Sequence, residues 1–163
     1  MGVKRKGSRR ALVLVVLLGL VFVAASVGSV FTSRSVSDWY VGLAKPSWTP
    51  PGWVFGPVWT VLYVLMAAAA WRVWLREGLA RGRLPLALFA VQLVLNAAWS
   101  GVFFGLRMPG LALAELAVLL AAVAATTAAF WRADRLAGAL MLPYLGWATF
   151  AGALNLAIWR MNA

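Results

Sequence analysis

Long apolar runs alternate with short joints of polar, proline or glycine residues along the whole chain. Each of five runs is close to the ~20 residues that an α-helix needs to cross the hydrocarbon layer of a membrane. The pattern therefore predicts an all-α fold, an integral membrane bundle of five transmembrane helices. A basic extension at residues 1–10 precedes the first run, and one long connection occupies residues 32–52. We place the five spans at residues 11–31, 53–74, 84–105, 109–130 and 136–159.

The first run follows a basic segment, and this order is also typical of a secretory signal peptide. However, residues 11–31 are longer than the apolar core of a typical signal peptide, and their small residues mark no clear cleavage site. We therefore interpret the first run as a retained membrane span.

Composition supports the membrane interpretation, because 64% of the residues are hydrophobic and only 12% are charged. Soluble domains carry about a quarter charged residues. A mean hydropathy of +0.87 points the same way. A soluble core formed by a chain of this length could not cover so much apolar surface, whereas a bilayer removes that requirement.

The net charge of +11 raises the alternative of a nucleic-acid partner, and the placement of the charges argues against it. Eleven of the fifteen Lys and Arg residues fall on one side of the spans: five in the extension, four between the second and third spans, and two after the fourth. Cytoplasmic loops of membrane proteins carry such an excess. We expect the lipid bilayer as the partner, with the amino terminus in the cytoplasm of a bacterial cell membrane.

The chain contains neither cysteine nor histidine. Disulfides, thiolate nucleophiles and Cys-ligated metals are therefore excluded, and so are the usual general base and the commonest metal ligand. We predict no metal site and no required cofactor.

The connection at residues 32–52 is rich in aromatic residues and prolines, including Trp39, Tyr40, Trp48 and Pro50. Prolines restrict the extended backbone, and aromatic side chains favour partial burial. Long connections in compact proteins are often functional lids. We interpret this connection as a lid over the bundle in preference to an interfacial anchor.

Several large or polar side chains lie at one depth, because the directions of successive spans alternate. Trp59, Trp99, Glu115 and Asn155 each lie four to six residues from the end of a span that faces the lid. One interpretation is that the amides join the helices and the aromatics fill the core. We favour a cavity walled by indoles, suited to a flat apolar ligand such as a porphyrin, sterol or polycyclic aromatic compound. For Glu115 we leave open a functional role or a structural pairing with Arg107.

Many rare residues recur in the order found in the TspO/MBR family of tryptophan-rich sensory proteins, which the chain resembles over nearly its whole length. The resemblance implies a five-helix bundle, often homodimeric, that binds protoporphyrin IX, other tetrapyrroles and sterols beneath the loop after its first helix. It rests on Trp39-Tyr40, Lys45-Pro46-Ser47-Trp48-Thr49-Pro50-Pro51, Pro57-Val58-Trp59-Thr60, Leu62-Tyr63, Gln92-Leu93, Asn96, Trp99-Ser100, Pro143-Tyr144-Leu145, Trp147 and Leu154-Asn155.

Carried over by position, the resemblance implies a specific set of ligand-binding residues. Two of them, Trp59 and Trp147, would contribute to any photochemistry. Two departures weaken other expectations: Leu156 replaces a Tyr of the animal cholesterol motif, and Leu111 replaces a pocket Trp of animal members. The implied ligand-binding residues are Trp39, Tyr40, Pro50, Trp59, Tyr63, Asn96, Trp99, Trp147 and Ala151.

Three functions follow, in order of preference. The first is a protoporphyrin-binding sensor or regulator, and the second is an enzyme that degrades porphyrin in light through Trp59 or Trp147. The third is a porphyrin or sterol transporter, for which no inverted repeat is visible. Because no His or Cys can serve as an axial ligand, metal-free porphyrin is the favoured ligand. Gly101 and Gly105 have the four-residue spacing of close helix pairs, which adds a weak cue for a homodimer.

Overall fold

The computed structural model describes the backbone of residues 2–163, with side chains from residue 7 onward. All five long helices within that range are long and apolar enough to cross a membrane, which confirms the all-α, five-span prediction. Two of them continue into a single π-helical turn. The elements are α1 Gly2–Ser35, a first π turn Val36–Tyr40, α2 Gly52–Arg81, α3 Arg83–Ser100, a second π turn Gly101–Gly105, α4 Pro109–Ala133 and α5 Arg135–Asn162.

The connection predicted at 32–52 is less than half as long as expected. Helical structure continues through the first π turn to residue 42, so the non-helical lid comprises only residues 43–51. Thr32 donates its hydroxyl to the carbonyl of Gly28 within the helix, and Ser35 donates to the carbonyl of Phe104 in the second π turn at 2.6 Å. Both hydroxyls are therefore satisfied in the helical conformation, which is compatible with the longer helix.

Small residues let the helices approach closely in the half of the bundle away from the lid. Ala67, Ala69 and Ala70 on α2 are fully buried, and the rings of Phe89 and Phe130 stack with centroids 5.9 Å apart between α3 and α4. This half holds a dense apolar core that extends from α2 to α5.

The same end of the bundle, where α2 passes into α3 and α4 into α5, carries an ionic cluster around one buried carboxylate; we call it the basic end. Asp134 accepts hydrogen bonds from Arg72 at 2.9 Å and from Arg76 at 3.0 Å, and its side chain is 2% exposed. Its other oxygen accepts the backbone N–H of Ala137 at 3.0 Å, which caps the start of α5. One carboxylate therefore joins α2 to the junction of α4 and α5.

The glycine pair of the second π turn packs inside the chain. A Cβ added at Gly105 would lie 2.9 Å from the ring of Phe31, and one added at Gly101 would lie 3.6 Å from the same ring. The close approach that this spacing predicts therefore joins α3 to α1 of the same molecule. The homodimer stays a prediction, and the spacing of Gly101 and Gly105 no longer supports it.

Candidate ligand-binding cavity

A cavity of about 660 Å³ lies among α1, α2, α3 and α5 at the opposite end, beneath residues 43–51; we call it the loop end. Its volume falls in the range of about 300–1,000 Å³ that is usual for small-molecule sites. The indoles of Trp59, Trp99 and Trp147 line it from three different helices. Aromatic and aliphatic groups make up most of the wall.

A chain of hydrogen bonds holds the floor of the cavity together. Tyr63 on α2 donates its hydroxyl to the side-chain oxygen of Asn96 on α3 at 2.7 Å. The Asn96 amide nitrogen in turn donates to the hydroxyl of Tyr144 on α5 at 3.1 Å. Trp59 stacks on Tyr63, with ring centroids 5.4 Å apart, and meets Tyr144 edge-on at 6.1 Å. Three helices are thereby joined, and two phenols and an indole are fixed in place.

A second amide fixes the indole of Trp99. The Trp99 ring nitrogen donates to the side-chain oxygen of Asn155 at 3.1 Å, while the Asn155 amide donates to the carbonyl of Pro109 at 2.8 Å. The Trp99 ring stacks on Phe103 at 5.2 Å. Asn155 thus links the start of α4, α5 and the cavity wall through hydrogen bonds that leave neither end of its amide unpaired.

The lid is attached to the bundle at both polar and aromatic contacts. Ala44 exchanges two hydrogen bonds of 2.9 Å with the side chain of Asn162 at the end of α5. Lys45 donates to the carbonyls of Tyr40, Val41 and Leu43, which closes the preceding helix. Trp48 meets Phe150 of the cavity wall edge-on, with centroids 5.8 Å apart.

Seven of the nine residues implied by the resemblance line the cavity, and two do not. Trp39 contacts the wall residue Phe103, with centroids 5.7 Å apart, without lining the cavity itself. Pro50 belongs to the lid and is also not part of the lining. Their roles in binding a ligand stay predictions. The seven lining residues are Tyr40, Trp59, Tyr63, Asn96, Trp99, Trp147 and Ala151.

Sequence reasoning missed the contribution of α1, which had been treated only as a membrane span. Ser26, Ser29 and Ser33 lie on the cavity side of this helix, together with Phe22 and Ala25. The spacing of the serines at i, i+3 and i+7 places them on one helical face, and this was the available signal. Leu111, which replaces a pocket Trp of animal relatives, is exposed and does not line the cavity.

The structural pairing of Glu115 with Arg107, one of the two roles left open for Glu115, is wrong. Arg107 instead forms an exposed ion pair with Asp38 of the first π turn at 3.2 Å. The backbone of Arg107 has a φ of 56°, which turns the chain between the second π turn and α4. Both carboxyl oxygens of Glu115 are buried, and neither has a hydrogen-bond partner among the described residues.

Comparison with known proteins agrees with this architecture. Residues 14–160 match the model of the TspO/MBR family. A human protein named Translocator protein is 45% identical over 138 residues, covering 83% of this chain and 82% of the relative. A Chlorobaculum tepidum protein named Tryptophan-rich protein TspO is 38% identical over 159 residues, covering 95% of this chain and 99% of the relative. A Cereibacter sphaeroides protein named Tryptophan-rich sensory protein is 47% identical over 125 residues, covering 77% of each chain. With five membrane-spanning helices and a family match over nearly its whole length, the chain is an integral membrane protein that belongs to the TspO/MBR family.

Proposed function

We propose that this protein is a membrane sensor or regulator that binds metal-free protoporphyrin IX in the loop-end cavity. The observation that carries the proposal is the convergence of Trp59, Trp99 and Trp147 on one covered cavity. Relatives named as sensory and translocator proteins support a sensory or transport role in general. Binding of a porphyrin is the more specific step that needs testing.

The chemistry of the walls suits a flat aromatic macrocycle. Indole and phenyl faces offer large apolar area and stacking with little loss of side-chain freedom. The amides of Asn96 and Asn155 are already committed to protein hydrogen bonds, so the ligand is held chiefly by shape and contact. Arg34 and Arg160 lie exposed near the ends of α1 and α5, where their charge would attract ligand carboxylates. Without His or Cys, the chain offers no usual axial ligand for an iron porphyrin.

The placement of Trp59 favours a second function, the light-dependent degradation of bound porphyrin. Trp59 lies beside the phenols of Tyr63 and Tyr144, with ring centroids 5.4 and 6.1 Å from its own, so three electron-rich rings are adjacent. Such a group is suited to donate an electron to an excited ligand. Trp147, the other residue implied for photochemistry, lines the same cavity. Transport of porphyrin or sterol stays the third alternative.

The deciding experiment is a titration of the purified protein with protoporphyrin IX. Tryptophan fluorescence is followed in the dark, and porphyrin absorbance is then followed under illumination. Trp147→Phe removes one cavity indole, and Trp131→Phe is the matched control, because Trp131 is exposed at the basic end. We expect saturable quenching whose affinity changes in Trp147→Phe but not in Trp131→Phe.

The remaining outcomes separate the alternatives. Quenching without porphyrin loss in light supports the sensor, and light-driven loss that Trp147→Phe abolishes supports the enzyme. Quenching that does not saturate rules out the porphyrin proposal. We also propose a homodimer in a bacterial cell membrane with a cytoplasmic amino terminus, as the charge distribution predicts. Light scattering of the purified protein and protease access in sealed vesicles test these two points.

A further inference from the structure

The exposed part of the cavity lining lies on one side of the bundle. Every lining residue that is exposed, among the described residues, lies on α1, on the π turn that follows it, or on α2. Lining residues from α3 and α5 are buried or half-buried. We define the α1–α2 seam by Ser26, Ser29 and Ser33 on α1 and by Gly52, Gly56 and Thr60 on α2.

The seam lies toward the loop end of α1 and α2. Near the basic end the two helices touch: the ring nitrogen of Trp71 donates to the carbonyl of Arg10 at 3.0 Å, and Arg9 lies over the ring of Trp74. Near the loop end, a Cβ added at Gly52 or at Gly56 would meet nothing within 4 Å. The glycines of α2 therefore leave open space beside the cavity.

The neighbouring side of α1 is closed. A Cβ added at Gly28 would lie 3.1 Å from the hydroxyl oxygen of Ser100, and Phe31 fills the groove over Gly105. At the loop end, Trp48 of the lid contacts the lining residue Phe150, and Asn162 and Lys45 attach the lid to the bundle. The seam is thus the side on which least protein must move for a molecule to pass.

Three of the four hydroxyl groups of the seam are bonded within their own helix, which makes the seam a poor path for water. Ser26 donates to the carbonyl of Phe22, Ser33 to that of Val30, and Thr60 to that of Gly56. Each of these hydroxyls is satisfied within its own helix, so it can face hydrocarbon without a water partner. Small side chains with satisfied hydroxyls leave a narrow slot suited to a flat apolar molecule.

We propose that ligand reaches the cavity sideways from the hydrocarbon of the membrane, through the α1–α2 seam, and not through the lid from water. The proposal rests on the proposed function in taking the cavity as a ligand site, but the route can be tested without porphyrin. A ligand that partitions into lipid is concentrated there before it meets the protein, which favours this route for apolar compounds.

The test uses Ala151→Cys, which places one thiol in the cavity wall of a chain that has no other cysteine. In nanodiscs, the thiol is modified by an apolar maleimide that partitions into lipid, or by a charged thiosulfonate that does not. Both rates are normalised to those of a free thiol in water. We expect the apolar reagent to react at least tenfold faster.

Seam variants then locate the path. Ser29→Phe and Thr60→Phe add bulk on opposite sides of the seam, and each should slow the apolar reagent at least tenfold. Val23→Phe and Val64→Phe are matched controls, because both positions are exposed on the same two helices but do not line the cavity. These controls should leave the rate unchanged. Two seam variants are used so that misfolding of one does not end the test. Thermal unfolding measures whether both variants are folded.

Several outcomes would overturn the route. An equal or faster reaction of the charged reagent would place the opening on the water side. Seam variants that react like the controls would do the same. Seam variants that convert a dimer to a monomer at unchanged rates would make the seam a contact between copies. Failure of porphyrin to bind would remove the proposed function, while the labelling rates would still decide the route.

Discussion

The two ends of this five-helix bundle differ in how closely their helices pack. At the basic end, one buried carboxylate draws two arginines and a helix start together, and small residues bring the helices into close contact. At the loop end, large aromatic side chains from three helices line a cavity of about 660 Å³. The first region is densely packed, and the second holds the space that we propose for a ligand.

The difference shows how a small membrane bundle can hold a cavity of this size. A cavity loses the contacts that its wall atoms would otherwise make. Here the cavity wall is held by hydrogen bonds through Asn96 and Asn155, and the far end is held by Asp134. We therefore expect substitutions at the basic end to change stability more than binding, and substitutions at the loop end to change binding more than stability.

The largest effect is expected for Asp134→Ala at the basic end. This change removes the helix cap and leaves Arg72 and Arg76 without their partner, at a cost of about 3 kcal/mol in the free energy of unfolding. Titration with SDS in mixed micelles measures it. Asp38→Ala is the matched control, because its ion pair with Arg107 is exposed and should contribute less than about 1 kcal/mol. Equal effects of the two substitutions would contradict the comparison.

The second-largest effect is a dependence of stability on pH, which should come from the carboxyl group of Asp134. The hydrogen bond from Arg72 lowers the pKa of Asp134 from 3.8 to about 2. Because the pKa is lower in the folded state, this stabilisation is complete above about pH 4 and is lost as the pH falls toward 2. It corresponds to about 2 kcal/mol. Unfolding temperatures of the parent should fall more steeply over that range than those of Asp134→Asn, and parallel curves would refute the assignment.

At the loop end, Asn96→Leu should reduce porphyrin affinity by about tenfold, or ~1.4 kcal/mol. The substitution leaves the hydroxyls of Tyr63 and Tyr144 without their shared partner and frees the indole that stacks on Tyr63. Quenching titrations measure the change. Gln92→Leu, one helical turn away, is the control: Gln92 does not line the cavity, and its side-chain oxygen has no partner among the described residues. A loss of affinity in the control as large as in Asn96→Leu would show that the effect is not local to the cavity.

The smallest effect is expected for Asn162→Ala, which removes the two hydrogen bonds to Ala44. Because these bonds are exposed, stability should change by less than about 0.5 kcal/mol. The amides of residues 43–51 should nevertheless exchange hydrogen faster, as measured by mass spectrometry. Unchanged exchange there would mean that Trp48 and Lys45 hold the lid without Asn162.

The number of helices and their approximate positions could be predicted from the sequence because hydrocarbon thickness sets the length of an apolar run. The ends of the helices could not be predicted in this way. The first helix continues into a segment whose composition is typical of a loop, and there Ser35 makes a tertiary hydrogen bond to Phe104 while Thr32 bonds within the helix. Loop composition alone does not reveal such contacts.

The candidate site was predicted in part for similar reasons. Depth along each span predicted one level for Trp59, Trp99, Glu115 and Asn155. Trp59, Trp99 and Asn155 line the cavity, and Glu115 does not. The partner of Arg107 depends on a turn with positive φ and on Asp38, which is sixty-nine positions away in the chain. Neither spacing nor composition reports such a contact. The spacing of the serines in α1 shows that they share one helical face. That this face lines the cavity depends on the position of α2, which the sequence does not give.

The two π turns have a consequence for chain length. They lie side by side, joined by the hydrogen bond from Ser35 to Phe104. A π turn contains one residue more than an α-helical turn would need. Deleting one residue from Val36–Tyr40 would therefore leave a regular α-helical turn, and α1 would keep its facing on the bundle. Ser29 would still line the cavity, and Phe31 would still pack against Gly105. A deletion in the regular part of α1 would instead rotate the residues before it by about 100°. The π turns are therefore the positions at which this fold can lose a residue without a change in which side chains meet.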